Sequence, residues 1–130
     1  MIEFYLDRRS GTSPYLQLVE QVKRALLLDT LRVGDQLPTL KEVVAKLAIN
    51  PNTVLKAYRE LEHDGLIESR PGIGTFVVRT LAGPALPHHA GLRDSLLDWL
   101  EEARRAGLDE DSIFALFDST RRGSLVGGAA

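Results

Sequence analysis

The stretch INPNTVLKAYRELEHDGLIES, residues 49–69, sets Asn50, Asn52 and Thr53 around Pro51 at the front of an amphipathic segment. A carboxamide donates and accepts hydrogen bonds at once and matches the N6 and N7 edge of adenine, while a threonine side chain meets a base edge or a thymine methyl. Each residue also has a purely structural use. Asn50 is a favoured helix N-cap, Pro51 suits the first helical position, and Thr53 can belong to the cap. Asn52 has no such duty and is the stronger candidate for base contact. Lys56 and Arg59 further along either meet phosphates or solvate an exposed face.

The surrounding elements decide whether such a front is presented to a partner. Tyr15, Val19, Val22 and Leu26 recur at helical spacing behind Pro14, with Gln17, Glu20, Gln21 and Lys23 assigned to the opposite, polar face. Thr39 and Glu42 form a capping-box pattern ahead of a short helix with Val43, Val44 and Leu47 on its buried side. Val54, Ala57, Tyr58 and Leu61 line one face of the helix that Asn50 opens, and Gly65 stands where a helix C′ residue belongs. LIES and TFVV read as two strands around the turn RPGIG. The alternation of Ile2, Phe4 and Leu6 with Glu3, Tyr5 and Asp7 predicts one further short strand at the start. Three helices and a glycine-rich hairpin make a winged helix-turn-helix, whose second motif helix enters the DNA major groove by its N-terminal residues.

The segment LPTLKEVVAKLAINPNTVLKAYRELEHDGLIESRPGIGTFVV resembles the DNA-binding domain of the GntR family of bacterial transcription regulators, with similarity from about Pro14 to Val78. The short remainder and NPNTVLKAYRELE are most similar to its YtrA-like subfamily. That resemblance implies a DNA-binding transcription regulator, a repressor, acting as a homodimer on an inverted-repeat operator in the bacterial cytoplasm. Carried over by residue, it implies contacts from Lys41 at the first motif helix, from Asn50, Asn52 and Thr53, and from Gly72 at the wing tip. Thr39, Lys56, Arg59 and Arg70 complete the candidate DNA-binding set; Arg70 either enters a narrow minor groove or lies on the hairpin surface. Pro51 and Leu55 stand where many relatives carry Arg, or Arg or Gln, so the bidentate guanine contact of an arginine is missing here. Lys41 replaces a more usual Arg and offers a point charge rather than a fork.

Composition sets limits. The 130 residues contain no cysteine, which excludes disulfides and thiolate metal sites, and no apolar run approaches membrane-spanning length. Residues 1–80 hold 11 Lys and Arg against 10 Asp and Glu, whereas residues 81–130 hold 5 against 8, so a polyanion is expected to meet the N-terminal part. No nucleophile elbow, zinc-protease motif or P-loop occurs, so no enzyme and no cofactor is expected. His88 and His89 are adjacent in a linker, poor geometry for one metal ion.

The fold class expected is mainly α with a small β-hairpin: a winged helix-turn-helix followed by a short two-helix dimerisation tail. Residues 1–79 form the winged domain, 80–91 a linker, 92–122 the helical tail and 123–130 a disordered end. Leu92, Leu96, Trp99 and Leu100, with Ile113, Phe114 and Phe117, would leave an apolar stripe bare on a lone helical pair, which favours pairing with a second copy over docking within the chain. A small-molecule effector is a further partner, with no residues assigned. The competing reading is a winged helix that binds protein rather than specific DNA.

Overall fold

The computed structural model describes residues 1–83 and 89–128, in two compact units, Met1–Leu86 and Pro87–Ala130. The first contains α1 (Pro14–Leu27), α2 (Leu40–Leu47), α3 (Pro51–His63), β1 (Ile67–Arg70) and β2 (Gly74–Val77); the second contains α4 (His89–Arg105) and α5 (Glu110–Gly128). Among the described residues no helix is long and apolar enough to cross a membrane.

α1 and α2 both pack on α3, which therefore carries the core. Val19, Val22 and Leu26 of α1 and Val54, Ala57 and Leu61 of α3 are buried, as the spacing predicts, whereas Tyr15 is only half-buried; Leu18, outside the expected face, is fully buried, and Val43 joins them from α2. Burying each large aliphatic side chain is worth about 1.5–3 kcal/mol. Tyr58 is buried too, and its hydroxyl donates to the Pro38 carbonyl at 2.6 Å. Burial first, and the Glu42 carboxylate second, push its phenol pKa up. Gly65 closes α3 at φ +76°, a conformation without penalty only for glycine.

The structure departs from the expected strand at residues 2–6. The alternation is real, with Phe4 buried and Ile2 and Leu6 half-buried, but no sheet forms. The arm lies along α1, and two glutamine side chains satisfy its backbone. Gln21 Oε1 accepts from the Tyr5 N–H at 3.1 Å and its Nε2 donates to the Tyr5 carbonyl at 2.8 Å. Gln17 Oε1 accepts from the Asp7 N–H at 2.8 Å, and its Nε2 donates to the carbonyls of Asp7 and Thr12 at 3.0 and 2.9 Å. Two residues of extended chain advance about 6.7 Å and four helical residues about 6 Å, so residue 5 falls opposite residue 21 and residue 7 opposite residue 17. Gln17 and Gln21 are thus buried rather than part of a solvated face.

The hairpin pairs antiparallel, Ile67 opposite Val77 and Arg70 opposite Gly74. A third segment, not expected from the sequence, borders β2. Gly34 N–H donates to Val77 O at 2.9 Å, Val77 N–H to Asp35 O at 2.9 Å, and Leu37 N–H to Thr75 O at 2.8 Å. The wing is therefore anchored to the turn that leads into α2.

In the second unit Asp109 caps α5, accepting the Ser112 N–H at 2.8 Å; the Ser112 hydroxyl first, and this backbone bond second, hold its carboxyl below the usual range. α4 begins at His89, within the expected linker 80–91; of that linker residues 84–88 lie outside the described residues. α5 does not stop at Arg122. It runs to Gly128, into the segment 123–130 expected to be disordered, of which residues 129–130 lie outside the described residues. Arg121 and Arg122 consequently sit inside the helix, where both pair with Asp118, at 2.8 and 2.9 Å, instead of facing the helix end.

Candidate nucleic-acid interface

The turn between α2 and α3 settles which polar groups are available. Thr39 and Glu42 form the full capping box: the Thr39 hydroxyl accepts from the Glu42 N–H at 3.1 Å and donates to the Glu42 carboxylate at 3.1 Å. Thr39 therefore serves the cap, leaving exposed Lys41 in the first turn of α2 as the group that faces outward. Ala48 ends α2 in the left-handed region at φ 53°, ψ 46°, which turns the chain within two residues into the α3 cap. Asn50 Oδ1 accepts from the Asn52 N–H at 2.8 Å, so its side-chain oxygen is engaged in capping. The Asn52 carboxamide is exposed and, among the described residues, makes no hydrogen bond of its own. Thr53 follows, half-buried, with its N–H bonded to Asn50 O at 3.0 Å.

Two flanks run back from this front. Lys56 lies one helical turn behind Asn52 on the same face, and its ammonium sits 3.9 Å from the centroid of the Tyr15 ring on α1. Arg59 lies on the other flank. With Leu55, Glu62 and His63 it lines an open groove of about 580 Å³, closed by Leu40 and by Ser69 and Thr75 of the wing.

Gly72, at φ +76°, forms the wing tip as expected, and Ile73 beside it is exposed. Gly74, at φ +146°, leaves room for the Gln36 side chain, which would collide with a Cβ there. Arg70 does not reach toward the tip. Its guanidinium lies 4.8 Å over the Phe76 ring and its Nε is 3.9 Å from Glu68. Asn52, Thr53, Lys41 and Lys56 thus lie on the two motif helices, Gly72 on the wing, and Arg70 along the hairpin surface. Tyr15, which its helical spacing placed in the core, instead lies half-buried under the Lys56 ammonium, and Ile73 is exposed at the wing; neither feature follows from the local sequence.

The tail unit is built around few contacts. Among the described residues only Ala103 and Ile113 are buried; Trp99 and Leu100 are half-buried, and Leu96, Phe114 and Phe117 remain exposed. These residues, except Ala103, line one apolar groove of about 240 Å³ with Glu110 at its edge. Leu92, 72% exposed, is not part of it.

Comparison with known proteins gives the following. Residues 14–77 match the family described as bacterial regulatory proteins, gntR family. The HTH-type transcriptional repressor YtrA of Bacillus subtilis is 43% identical over 72 residues, 55% of this chain and 55% of the relative. The HTH-type transcriptional regulator Rv1152 of Mycobacterium tuberculosis is 32% identical over 103 residues, 79% of this chain and 81% of the relative. The chain thus spans little more than half the length of the first of these. Among solved structures, YtrA from Sulfolobus acidocaldarius, a GntR-family transcription factor, shares the fold at a TM-score of 0.55 and 23% identity, covering 92% of this chain and 97% of its own. The AraR DNA-binding domain in complex with operator ORR3 aligns at a TM-score of 0.50 and 25% identity, covering 59% of this chain and 93% of its own.

Proposed function

Because the chain belongs to the gntR family of bacterial regulatory proteins, we propose that it is a sequence-specific DNA-binding transcription regulator, a repressor, that binds an inverted-repeat operator as a homodimer in the cytoplasm. The observation that carries this reading is the front of α3. A free carboxamide at Asn52 stands beside Thr53 in the first turn, and the neighbouring Asn50 holds the cap. A structural helix start needs one cap; a second, unengaged carboxamide at the exposed end is what base recognition uses. The relative named as a repressor and the AraR domain with its operator support the same direction. Dimerisation draws support from the tail groove, since Phe114 and Phe117 stay exposed unless something covers them. A two-fold protein calls for a two-fold operator.

The test is binding to the DNA upstream of the protein's own coding sequence, by gel shift and fluorescence anisotropy, against a random duplex. Asn52→Ala should weaken operator binding by about 1–3 kcal/mol and spare random DNA. Lys41→Met should reduce the slope of log K against log salt by about one unit. Equal weakening on both duplexes would make Asn52 a general contact, and no preference in the wild type would turn the fold into a protein-binding module.

A further inference from the structure

We propose that Tyr15, in the first turn of α1, is a positioning residue for DNA binding: its ring holds the Lys56 ammonium at the flank of α3 where a backbone phosphate is met. This rests on the reading of α3 as the DNA-reading helix. The Lys56 Nζ lies 3.9 Å from the Tyr15 ring centroid, well within cation–π range. Tyr15 is half-buried and packs against the core, so α1 fixes the ring in place.

The kind of partner matters. Lys23, Lys46 and Arg70 are each paired with a carboxylate, at 3.3, 3.7 and 3.9 Å. A carboxylate neutralises the charge and competes with any incoming phosphate. Among the described residues Lys56 makes no ion pair and is exposed. An aromatic face orders the ammonium while leaving its full positive charge for an anion. A free lysine would lose its rotamer freedom on docking; here part of that ordering is already done in the unbound chain. Because Lys56 follows Asn52 by one turn, the held ammonium also sets a spacing between a base contact and a backbone contact. The first turn of α1 thereby helps fix the register of α3 in the groove.

The test is a double-mutant cycle on the full chain with its operator, read by fluorescence anisotropy. Tyr15→Leu should weaken binding about two- to five-fold, the range of an exposed cation–π contact. Tyr15→Phe, which keeps the ring, should restore it. In a Lys56→Ala background Tyr15→Leu should cause no further loss, and thermal melts check that each variant folds. An equal loss in that background, or a Tyr15→Phe variant as weak as Tyr15→Leu, would overturn the proposal, because Tyr15 would then act by its own hydroxyl or through the fold. An NMR measurement without DNA separates the two layers. The Lys56 ε-protons should show an upfield ring-current shift that vanishes in Tyr15→Leu, and its absence in the wild type also overturns the proposal. A wild-type chain that shows this shift but binds no DNA defeats the DNA-binding reading, and the positioning role with it, while leaving the contact established.

Discussion

Replacing Gln17 by Met isolates what holds the N-terminal arm. Methionine keeps an unbranched stem and nearly the same helix propensity, so the change removes the carboxamide and little else. Gln17 makes three hydrogen bonds to the arm and the loop ahead of α1, at 2.8, 3.0 and 2.9 Å, and is only 8% exposed. At about 0.5–1.5 kcal/mol each, their loss sums to about 1.5–4.5 kcal/mol. The arm's own docking sets a ceiling. Once it lifts, its amides return to water, and what remains forfeited is chiefly the burial of Phe4, about 1.5–3 kcal/mol. The expected cost is therefore about 2 kcal/mol. In a unit of this size that lowers the melting temperature by roughly 8–16 °C. Gln21→Met removes two bonds, both to Tyr5, and should cost less. Circular-dichroism melts give the stability, and hydrogen exchange at the Tyr5 and Asp7 amides reports the arm directly. A melting temperature unchanged within about 2 °C, with both amides as protected as in the wild type, would refute the account of the arm as a strand completed by side chains.

Ala48 occupies the left-handed region at φ 53°; Ala48→Gly should remove a strain of about 1–2 kcal/mol, offset in part by glycine's greater unfolded entropy, and raise the melting temperature by a few degrees. A fall would mean that the turn carries no such strain. A chain ending at Gly83, inside the first unit, should stay folded but become monomeric by light scattering. It should also lose the roughly 10²–10⁴-fold gain in operator affinity that coupling two half-site readers supplies. A truncated chain that remains a dimer would move the interface into the winged unit.

What was legible in the sequence was governed by neighbours along the chain. The Thr39–Glu42 capping box, the Asn50 cap with Pro51 behind it, and Gly65 at positive φ each follow from residues within one helical turn, and each appears as expected. The α3 face of Val54, Ala57, Tyr58 and Leu61 follows from period alone. The errors arose where a distant partner decides. Ile2, Phe4 and Leu6 alternate as a strand does, but the partner that completes their backbone is Gln17 and Gln21, which local polarity placed on the wrong face. The pairing of residues 34–37 with β2 joins segments about forty positions apart and leaves no periodic trace in Gly34 to Leu37. For α5, the expected end lies at Arg122, yet a glycine such as Gly123 costs a helix only about 1 kcal/mol and keeps its amide; no proline lies between Glu110 and Gly128 to break the ladder.

The same division runs through the interface. Asn50 and Asn52 have the same side chain two positions apart, and composition cannot assign them different tasks. Geometry does, because the Oδ1 of the first is bound to the N–H of the second, which leaves the second carboxamide outward and unengaged. Arg70 and Lys56 are both cations that charge counting treats alike. One lies against Phe76 beside a carboxylate, and the other lies against Tyr15 with no carboxylate paired to it. The aromatic ring is common to both, so the ring alone does not mark a phosphate contact. The discriminating feature is the neutralising partner: Arg70 must leave Glu68 before it serves an anion, whereas Lys56 is ordered and still charged. The helix flank toward α1, more than the wing arginine, is therefore where the chain carries a positive charge that is held but not paired with a carboxylate, beside the exposed carboxamide of Asn52 proposed to read bases.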